Sequence, residues 1–450
     1  MEVHKFGGGI LYSAAQIRAM VALVHQQLQG RAAVLVISAI KGCTNMLEGA
    51  LAEAMGLPDA PKGQLEALMA LHRALVAELL PAEHPVAGRI EGMLQGLSTL
   101  LHHLPQRPYD ALYDLVVPYG ELMSSLLVCG ALQVDGLPCQ WVDIREYLRT
   151  NHQHRNAQID QVVSTPLVRE AFLHGAQQLY VTQGFIAADD TGDTTTLGRE
   201  GSDYTAALLA TMLGAREVTI WKDVPGFLNA DPLLFPKAYY LPRLHYRDAI
   251  ELAACGAKII HPRALQPLQR HDIPLLVRPF AQPDAAGSRI DGTPLSAQRN
   301  GQRPLPPLLA VRTDQLLLSI APKDLTFAGE GLYAQAFAIL HARHMPVHMI
   351  QQSAVSLTLC VDYLPYQMPK VLEALGQVGE VTYNRDLLLF SVRYCTPALR
   401  ALLDSFDHCI LRQDTRHTVQ LLLRQRDWAS TLQPAMLAHW EKICQQAPEG

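Results

Sequence analysis

Four stretches of the sequence set a cation or a carboxylate near glycine in a way that suits phosphoryl chemistry. Moving a phosphoryl group asks a protein for positioning and for positive charge against the phosphoryl oxygens, with little covalent help. Lys5 stands directly before Phe6-Gly7-Gly8-Gly9. Residues without a Cβ let the backbone approach a phosphate, their N–H groups donate to it, and the lysine adds a point charge. The plainer reading is a glycine turn with a surface lysine. The segment TTTLGREGSDYTAALLA, residues 194–210, puts Arg199, Ser202 and Asp203 at a glycine-flanked turn leading into an apolar-faced helix. Arg199 is suited to clamp a carboxylate through two parallel hydrogen bonds. Ser202 can contact a substrate, cap the helix, or do both. In WKDVPGFLNADP, residues 221–232, Asp223 follows the β-rich run EVTIW and projects from the carboxyl end of a strand, where open α/β sheets bind ligands. It reads as orienting Mg2+ or a nucleotide, or as a solvated turn residue, and Asp231 before Pro232 reads as structural. GAKIIHPRAL, residues 256–265, adds Lys258 as a phosphate contact and His261 as a packed or turn residue. The sequence has no GxxxxGK[ST] loop, no HRD and DFG pair, and no GxGxxG after the first strand, so kinase chemistry here belongs to another class.

These residues need a sheet to hold them. A short strand over 3–9 ending in glycines, a helix over 14–28 and an apolar strand Ala32 to Ile40 predict a parallel pair. Leu/Ala/Met-rich helices follow from about 46 to 104, with a turn at Pro105–Pro108. Strands are expected at 138–143, 178–187, 217–224 and 273–280, and helices at 160–174, 203–213 and 246–255. The first 280 residues therefore read as a three-layer α/β domain with a helical lobe. Pro, Gly and polar residues dominate 281–307 and mark a linker. Beyond it the elements shorten: strand 309–321, helix 331–344, strands 346–351 and 354–361, helix 367–375. A similar order returns: strands 379–384 and 387–394, helix 397–405, strands 408–412 and 416–424, and a terminal helix. This reads as two small α/β units.

A chain of 450 residues has room for two or three domains, and 49% hydrophobic against 18% charged residues suits a well-buried protein. A net charge of −5 and a pI near 6.4 give no electrostatic footprint for nucleic acid. The start MEVHKFGGG has no basic region leading into a long apolar stretch, and no 18-residue apolar run is read later, so a cytoplasmic protein without membrane association is expected. The eight cysteines are scattered without CxxC pairs and read as reduced, mostly buried thiols. His102-His103 and His152/His154 read as solvated residues, and no metal is assigned to protein ligands.

Taken in order, KFGG (5–8), SAIKGCTN (38–45), YGELMSS (119–125), VTQGFIA (181–187), TTTLGREGSD (194–203), WKDVPGFLNADP (221–232) and GAKIIHP (256–262) closely resemble the aspartate kinase family of the amino-acid-kinase superfold. The resemblance implies an α/β fold class: a three-layer α/β/α catalytic domain over 1–283 with a helical lobe at 46–118, a linker at 284–307, and two ferredoxin-like ACT regulatory units over 308–450. It implies ATP, as Mg·ATP, as the phosphoryl donor and L-aspartate as the acceptor. Lys5, Gly7 and Gly8 would hold ATP phosphates, with Lys258 and Asp223 on the nucleotide side. Ser38, Thr44, Glu121, Arg199 and Ser202 would hold aspartate, with Glu121 facing its ammonium group. Asp203 would orient the active-site cations. Read alone, Glu121 could equally be a helix-surface carboxylate.

Two positions depart from the family. Gly9-Ile10 replace the usual small hydroxyl or Ala-Ser pair after KFGG, and Leu233 replaces the usual basic residue after ADP; both changes predict weaker ATP contacts. MIQQSAVSLTLCVD (349–362) matches the family's effector region, so Gln351, Gln352 and Ser353 are expected to bind an amino-acid effector, lysine first and threonine second. Capping of strand ends is the alternative. Pairing of ACT domains predicts a homodimer or larger homo-oligomer. A kinase for another amino acid and a binding-only regulatory protein are the competing readings.

Overall fold

The computed structural model describes residues 1–28, 30–174, 178–198, 200–255, 260–293, 306–324, 327–343, 345–365 and 367–445. Two compact units result: Met1–Phe227 with Tyr240–Ile250 and Ile259–Pro294, and Leu228–Tyr239 with Glu251–Lys258 and Leu295–Gly450.

The first unit runs β1 (Glu2–Phe6), α1 (Ala14–Leu28), β2 (Ala33–Ile37), α2 (Cys43–Ala54), α3 (Gln64–Leu79), α4 (Pro85–His102), α5 (Tyr109–Val116) and α6 (Tyr119–Val134). It continues with β3 (Gln140–Val142), β4 (Arg149–Thr150), α7 (Gln161–Leu173), β5 (Leu179–Gln183), β6 (Ile186–Asp189), β7 (Thr194–Thr196), α8 (Gly201–Leu213) and β8 (Val218–Lys222). After β9 (Phe227–Leu228) and β10 (Tyr240–Leu241) come β11 (Arg243–His245), α9 (Tyr246–Cys255), α10 (Pro262–Arg270), β12 (Leu275–Pro279) and β13 (Ser288–Asp291), with Leu228 of β9 and the residues of α9 from Glu251 on counted in the second unit. Eight strands form one sheet in the order β11-β13-β12-β8-β1-β2-β5-β3. From β12 to β3 every pairing is parallel, in register Lys5↔Ile220, Lys5↔Val36 and Ile37↔Gln183. Strands β1, β2 and β5 are buried at every residue; β2, AVLVI, is accordingly an unbroken apolar run, whereas β1 buries Glu2, His4 and Lys5 as well. Two helix groups cover the sheet. In one, α8 packs on β1, β2 and β8 and also on α7 and α10; in the other, α6 packs on β2, β3 and β5 and is backed by α1, α3 and α4.

The stretch Tyr109–Val134 is long and apolar enough to pass for a membrane span, with a mean hydropathy of 1.6, which corrects the expectation that no such run exists. Within the unit 89% of that window is buried, so α6 is a core helix, apolar all round because it is surrounded. The expected strand 178–187 divides into β5 and β6 because Phe185 takes a positive φ of 71°. Residues 284–293 of the expected linker include β13, whose alternation buries Ser288 and Ile290, antiparallel to β12.

The second unit contains β14 (Leu308–Ala321), α11 (Glu330–His341), β15 (Val347–Gln352), β16 (Leu357–Asp362) and α12 (Met368–Val378). Then come β17 (Glu380–Arg393), α13 (Pro397–Asp404), β18 (Cys409–Asp414), β19 (Thr418–Arg424) and the short helices α14 (Gln425–Asp427), α15 (Gln433–Ala438) and α16 (Trp440–Gln445). Two β-α-β-β repeats share one antiparallel sheet, ordered β15-β16-β14-β17-β19-β18. The two strands expected at 379–384 and 387–394 are one, β17, which bends at Asp386 (φ 60°) opposite the bend of β14 at Asp314 (φ 55°). One half of each long strand lies in its own repeat and the other half extends its neighbour's sheet. Leu316, Leu318, Leu359 and Val371 centre one core; Phe390, Leu421, Trp428 and Trp440 centre the other, with Phe235 stacked 4.7 Å from Trp440.

Candidate functional site

The parallel strands β8, β1, β2 and β5 all end on one edge of the first unit's sheet, so the residues that follow them come together. Lys5 is the penultimate residue of β1 and only 8% exposed. Its Nζ lies 2.6 Å from Oδ1 of Asp203, in the first turn of α8, and Nζ of Lys222, the last residue of β8, lies 3.8 Å from the other oxygen. Burial alone would raise the Asp203 carboxyl, but the charges of Lys5 and Lys222 outweigh it and hold the group below its ordinary value. The carboxylate therefore stays ionised and fixes two ammonium groups. Gly7 follows so closely that a Cβ there would meet Lys5 Nζ at 2.9 Å, and Gly8 lies against Ala39 O and the Lys41 backbone.

Beyond β2, Ser38 donates its N–H to Phe6 O at 3.1 Å, and its own carbonyl accepts from Ser124 Oγ at 2.7 Å. Ala39 N–H donates to Glu121 Oε1 at 3.3 Å. Glu121 is not the surface carboxylate its position in the sequence allowed: it is 4% exposed on α6, and Oε2 has no hydrogen-bond partner among the described residues. Desolvation pushes its pKa up to about 8, against the opposing hydrogen bond from Ala39 and the charge of Lys5. Thr44 sits half-buried in the first turn of α2.

Ser202 is buried beside β5. Gly184 makes this possible, because a Cβ there would lie 2.5 Å from Ser202 Cβ. Ser202 does not cap α8: Glu200 occupies that position in left-handed conformation (φ 53°) and offers no side-chain cap bond, so the hydroxyl is left for another partner. Asp223 is exposed, and a Cβ on Gly9 would lie 3.4 Å from its Oδ2. His261 caps α10, its Nδ1 accepting from Arg263 N–H at 3.3 Å. Arg199 and Lys258 lie outside the described residues. Lys5, Gly7, Gly8, Ser38, Glu121, Ser202, Asp203 and Asp223 belong to one edge.

Sequence reasoning passed over Lys222, although it adjoins Asp223 in the same motif. It also missed the supports of the turn before α8. Asp114 on α5, fully buried, accepts from Thr196 Oγ (2.7 Å), Thr196 N (3.1 Å), Arg155 N (3.0 Å) and His154 Nδ1 (3.0 Å). Arg263 donates to Leu197 O (2.9 Å) and Asn156 Oδ1 (2.7 Å) and lies over the Tyr204 ring. No spacing in the sequence announces these long-range partners.

In the second unit, Gln351 and Gln352 end β15 with exposed amides, while the Ser353 hydroxyl lies 2.9 Å from Ser356 Oγ inside the hairpin turn. Ala328 donates to Ala354 O at 2.9 Å and ties the 327–329 segment to that turn.

The profile of the Amino acid kinase family matches residues 1–279. The lysine-sensitive aspartokinase 3 of Escherichia coli K12 is 35% identical over 363 residues, covering 80% of this chain and 78% of that protein. The crystal structure of E. coli aspartokinase III with aspartate and ADP (R-state) superposes with a TM-score of 0.83 at 28% identity, over 97% of this chain and 99% of the other. The same enzyme with lysine and aspartate (T-state) gives 0.77 at 29%, over 98% and 99%.

Proposed function

The chain belongs to the amino acid kinase family, among the aspartokinases, and from that premise we propose that it transfers the γ-phosphoryl group of Mg·ATP to the side-chain carboxylate of L-aspartate. The products are 4-phospho-L-aspartate and ADP, the first step of lysine, threonine and methionine biosynthesis. One observation carries the assignment of the site: a buried carboxyl oxygen of Glu121, unpartnered among the described residues, shares a sheet edge with a lysine held by a buried aspartate. That edge offers an acceptor for an ammonium group beside a donor for a phosphate.

In this reading Glu121 Oε2 takes the α-ammonium of aspartate, and Ser38, Thr44, Ser202 and Arg199 hold its carboxylates. Lys5 and the N–H groups of Gly7 and Gly8 face the phosphates, joined by Lys258. The attacking carboxylate is ionised at neutral pH, so no strong base is required. In-line attack proceeds by positioning and charge neutralisation. Asp203 acts through the ammonium groups it orients. The exposed oxygens of Asp223 are hard donors of the kind Mg2+ takes, and the metal, arriving with the nucleotide, supplies charge against the phosphates.

Residues 1–283 are taken as the catalytic domain and 308–450 as a pair of ACT units. Gln351, Gln352 and Ser353 are taken to bind the effector, lysine before threonine, and the assembly to be a homodimer or larger. Unbridged cysteines accord with a cytoplasmic protein. The test is ADP release from Mg·ATP and L-aspartate, with the acyl phosphate trapped by hydroxylamine, with and without lysine. Aspartate-dependent hydroxamate, suppressed by lysine, is expected. Folded protein that binds ADP but forms no hydroxamate at saturating substrate would make the chain a binding-only relative.

A further inference from the structure

The eight cysteines are scattered in the sequence, yet folding brings two of them together. Cys129, on α6, and Cys139, at the approach to β3, place their sulfur atoms 3.5 Å apart. Gln133 braces the pair from the same helix, its Nε2 donating to Cys139 O at 3.2 Å and reaching Cys129 Sγ at 3.7 Å. Both cysteines line a recess of about 470 Å³, walled by His84, Arg89, Leu126 and Trp141 and lined by none of the kinase-site residues. The Arg89 guanidinium lies 4.8 Å from the centre of the Trp141 ring. At 2% and 8% exposure the two residues are too buried for a protein partner to engage them.

From this geometry we propose that Cys129 and Cys139 form a peroxide-responsive dithiol that closes to a reversible intramolecular disulfide. The Cys129 thiolate attacks one oxygen of a hydroperoxide; an S–O bond forms, the O–O bond breaks, and hydroxide, or an alcohol after protonation, leaves. Cys129 is then a sulfenic acid. The Cys139 sulfur attacks the Cys129 sulfur, the S–S bond forms, the S–O bond breaks, and the Cys139 proton leaves with the hydroxyl as water. With hydrogen peroxide the sum is two thiols and one peroxide giving one disulfide and two waters. The sulfurs close from 3.5 Å to a covalent distance of about 2.05 Å.

The electrostatics favour Cys129 as the attacked sulfur. The hydrogen bond from Cys139 and the charge of Arg89 outweigh burial and lower its thiol from the ordinary value. Burial pushes Cys43 and Cys360 up to about 12 and Cys444 up to about 11, leaving those thiols unreactive.

The test treats the folded, full-length chain with a small excess of hydrogen peroxide, alkylates the remaining thiols and maps the peptides by mass. The disulfide between the peptides carrying Cys129 and Cys139 is expected to form about tenfold faster than oxidation at any other cysteine, and dithiothreitol should reverse it. Retention of two alkylated thiols at Cys129 and Cys139 while other cysteines oxidise would overturn the proposal. In Cys139→Ser the sulfenic acid has no resolving thiol, so dimedone should label Cys129. Absence of that label in a variant with native circular dichroism would overturn the assignment of Cys129, and the wild-type map decides the pair should the variant not fold.

Discussion

Glu121 holds a carboxyl group that burial keeps protonated at neutral pH, at the place proposed for the substrate's ammonium group. With a folded pKa of about 8 against an ordinary 4.5, the folded chain keeps a proton between those values that the unfolded chain has lost. Stability should therefore fall as pH rises through that window. Glu121→Gln should abolish this slope, as measured by urea unfolding at pH 5 and pH 8. Aspartate binding should reverse the protonation: an ammonium group against Oε2 draws off the proton, so titration calorimetry at pH 7 in buffers of different ionisation enthalpy should register release of about one proton. Absence of release, together with unchanged aspartate affinity in Glu121→Gln, would remove Glu121 from the substrate site. Lys5→Ala should lower kcat by about a hundredfold or more, because its charge opposes charge that grows in the transition state, and should leave the KM for aspartate nearly unchanged. The stabilisation that Asp203 gains from Lys5 is fully present above the ordinary carboxylate pKa and is lost as pH falls through its lowered folded value. Gly9, exposed and facing Asp223, has room for a small side chain, so Gly9→Ser should fold as well as the parent and lower the KM for ATP.

The turn into α8 is held by elements remote in sequence. Asp114 on α5 joins the helical lobe to β7 and to the 154–155 turn, and Arg263 on α10 grips the same segment from Leu197. In Asp114→Asn an amide N–H replaces one acceptor oxygen and faces the N–H donors that surround it. The variant should lose about 2–3 kcal/mol in urea unfolding, the cost of unpaired buried donors. Its KM for aspartate should rise more than its KM for ATP, because β7 leads directly to the residues proposed to hold aspartate. Equal effects on both substrates would reduce Asp114 to a fold-wide support. The same clamp explains why the TTTLGREGSD motif stood out in the sequence while its supports did not: a motif is local, and a buried acceptor is recognised only by the donors folded around it.

Across the molecule, each unit is built on a main sheet of its own. The first unit buries a sheet that is parallel from β12 to β3, together with α6, and the second pairs two β-α-β-β repeats through long, bent strands. If the exposed amides at the end of β15 meet an amino-acid effector, Gln352→Ala should raise the lysine concentration for half-inhibition by about tenfold, the weight of one or two lost hydrogen bonds to a charged group, with kcat unaltered. Sedimentation velocity should show a dimer or a larger species. Loss of lysine sensitivity together with kcat would mean that the substitution acts through folding.

Much was legible before folding. The apolar run Ala32 to Ile40 announced β2 because a strand buried on both faces has no polar alternation to display. The KFGG, GREGSD and WKD segments gave Lys5, Asp203 and Asp223 because strand ends and helix starts are local features. Helical spacing placed Glu121 on a helix but could not decide its burial, since α6 is apolar all round and only the packing of its neighbours fixes which side meets the sheet edge. Nor could spacing show that Lys222 shares Asp203 with Lys5, that Asp114 gathers four donors, or that Cys129 and Cys139 meet. Those are contacts between segments separated along the chain, and the sequence by itself settles which groups exist while the tertiary structure alone settles which of them share a dry, low-dielectric space.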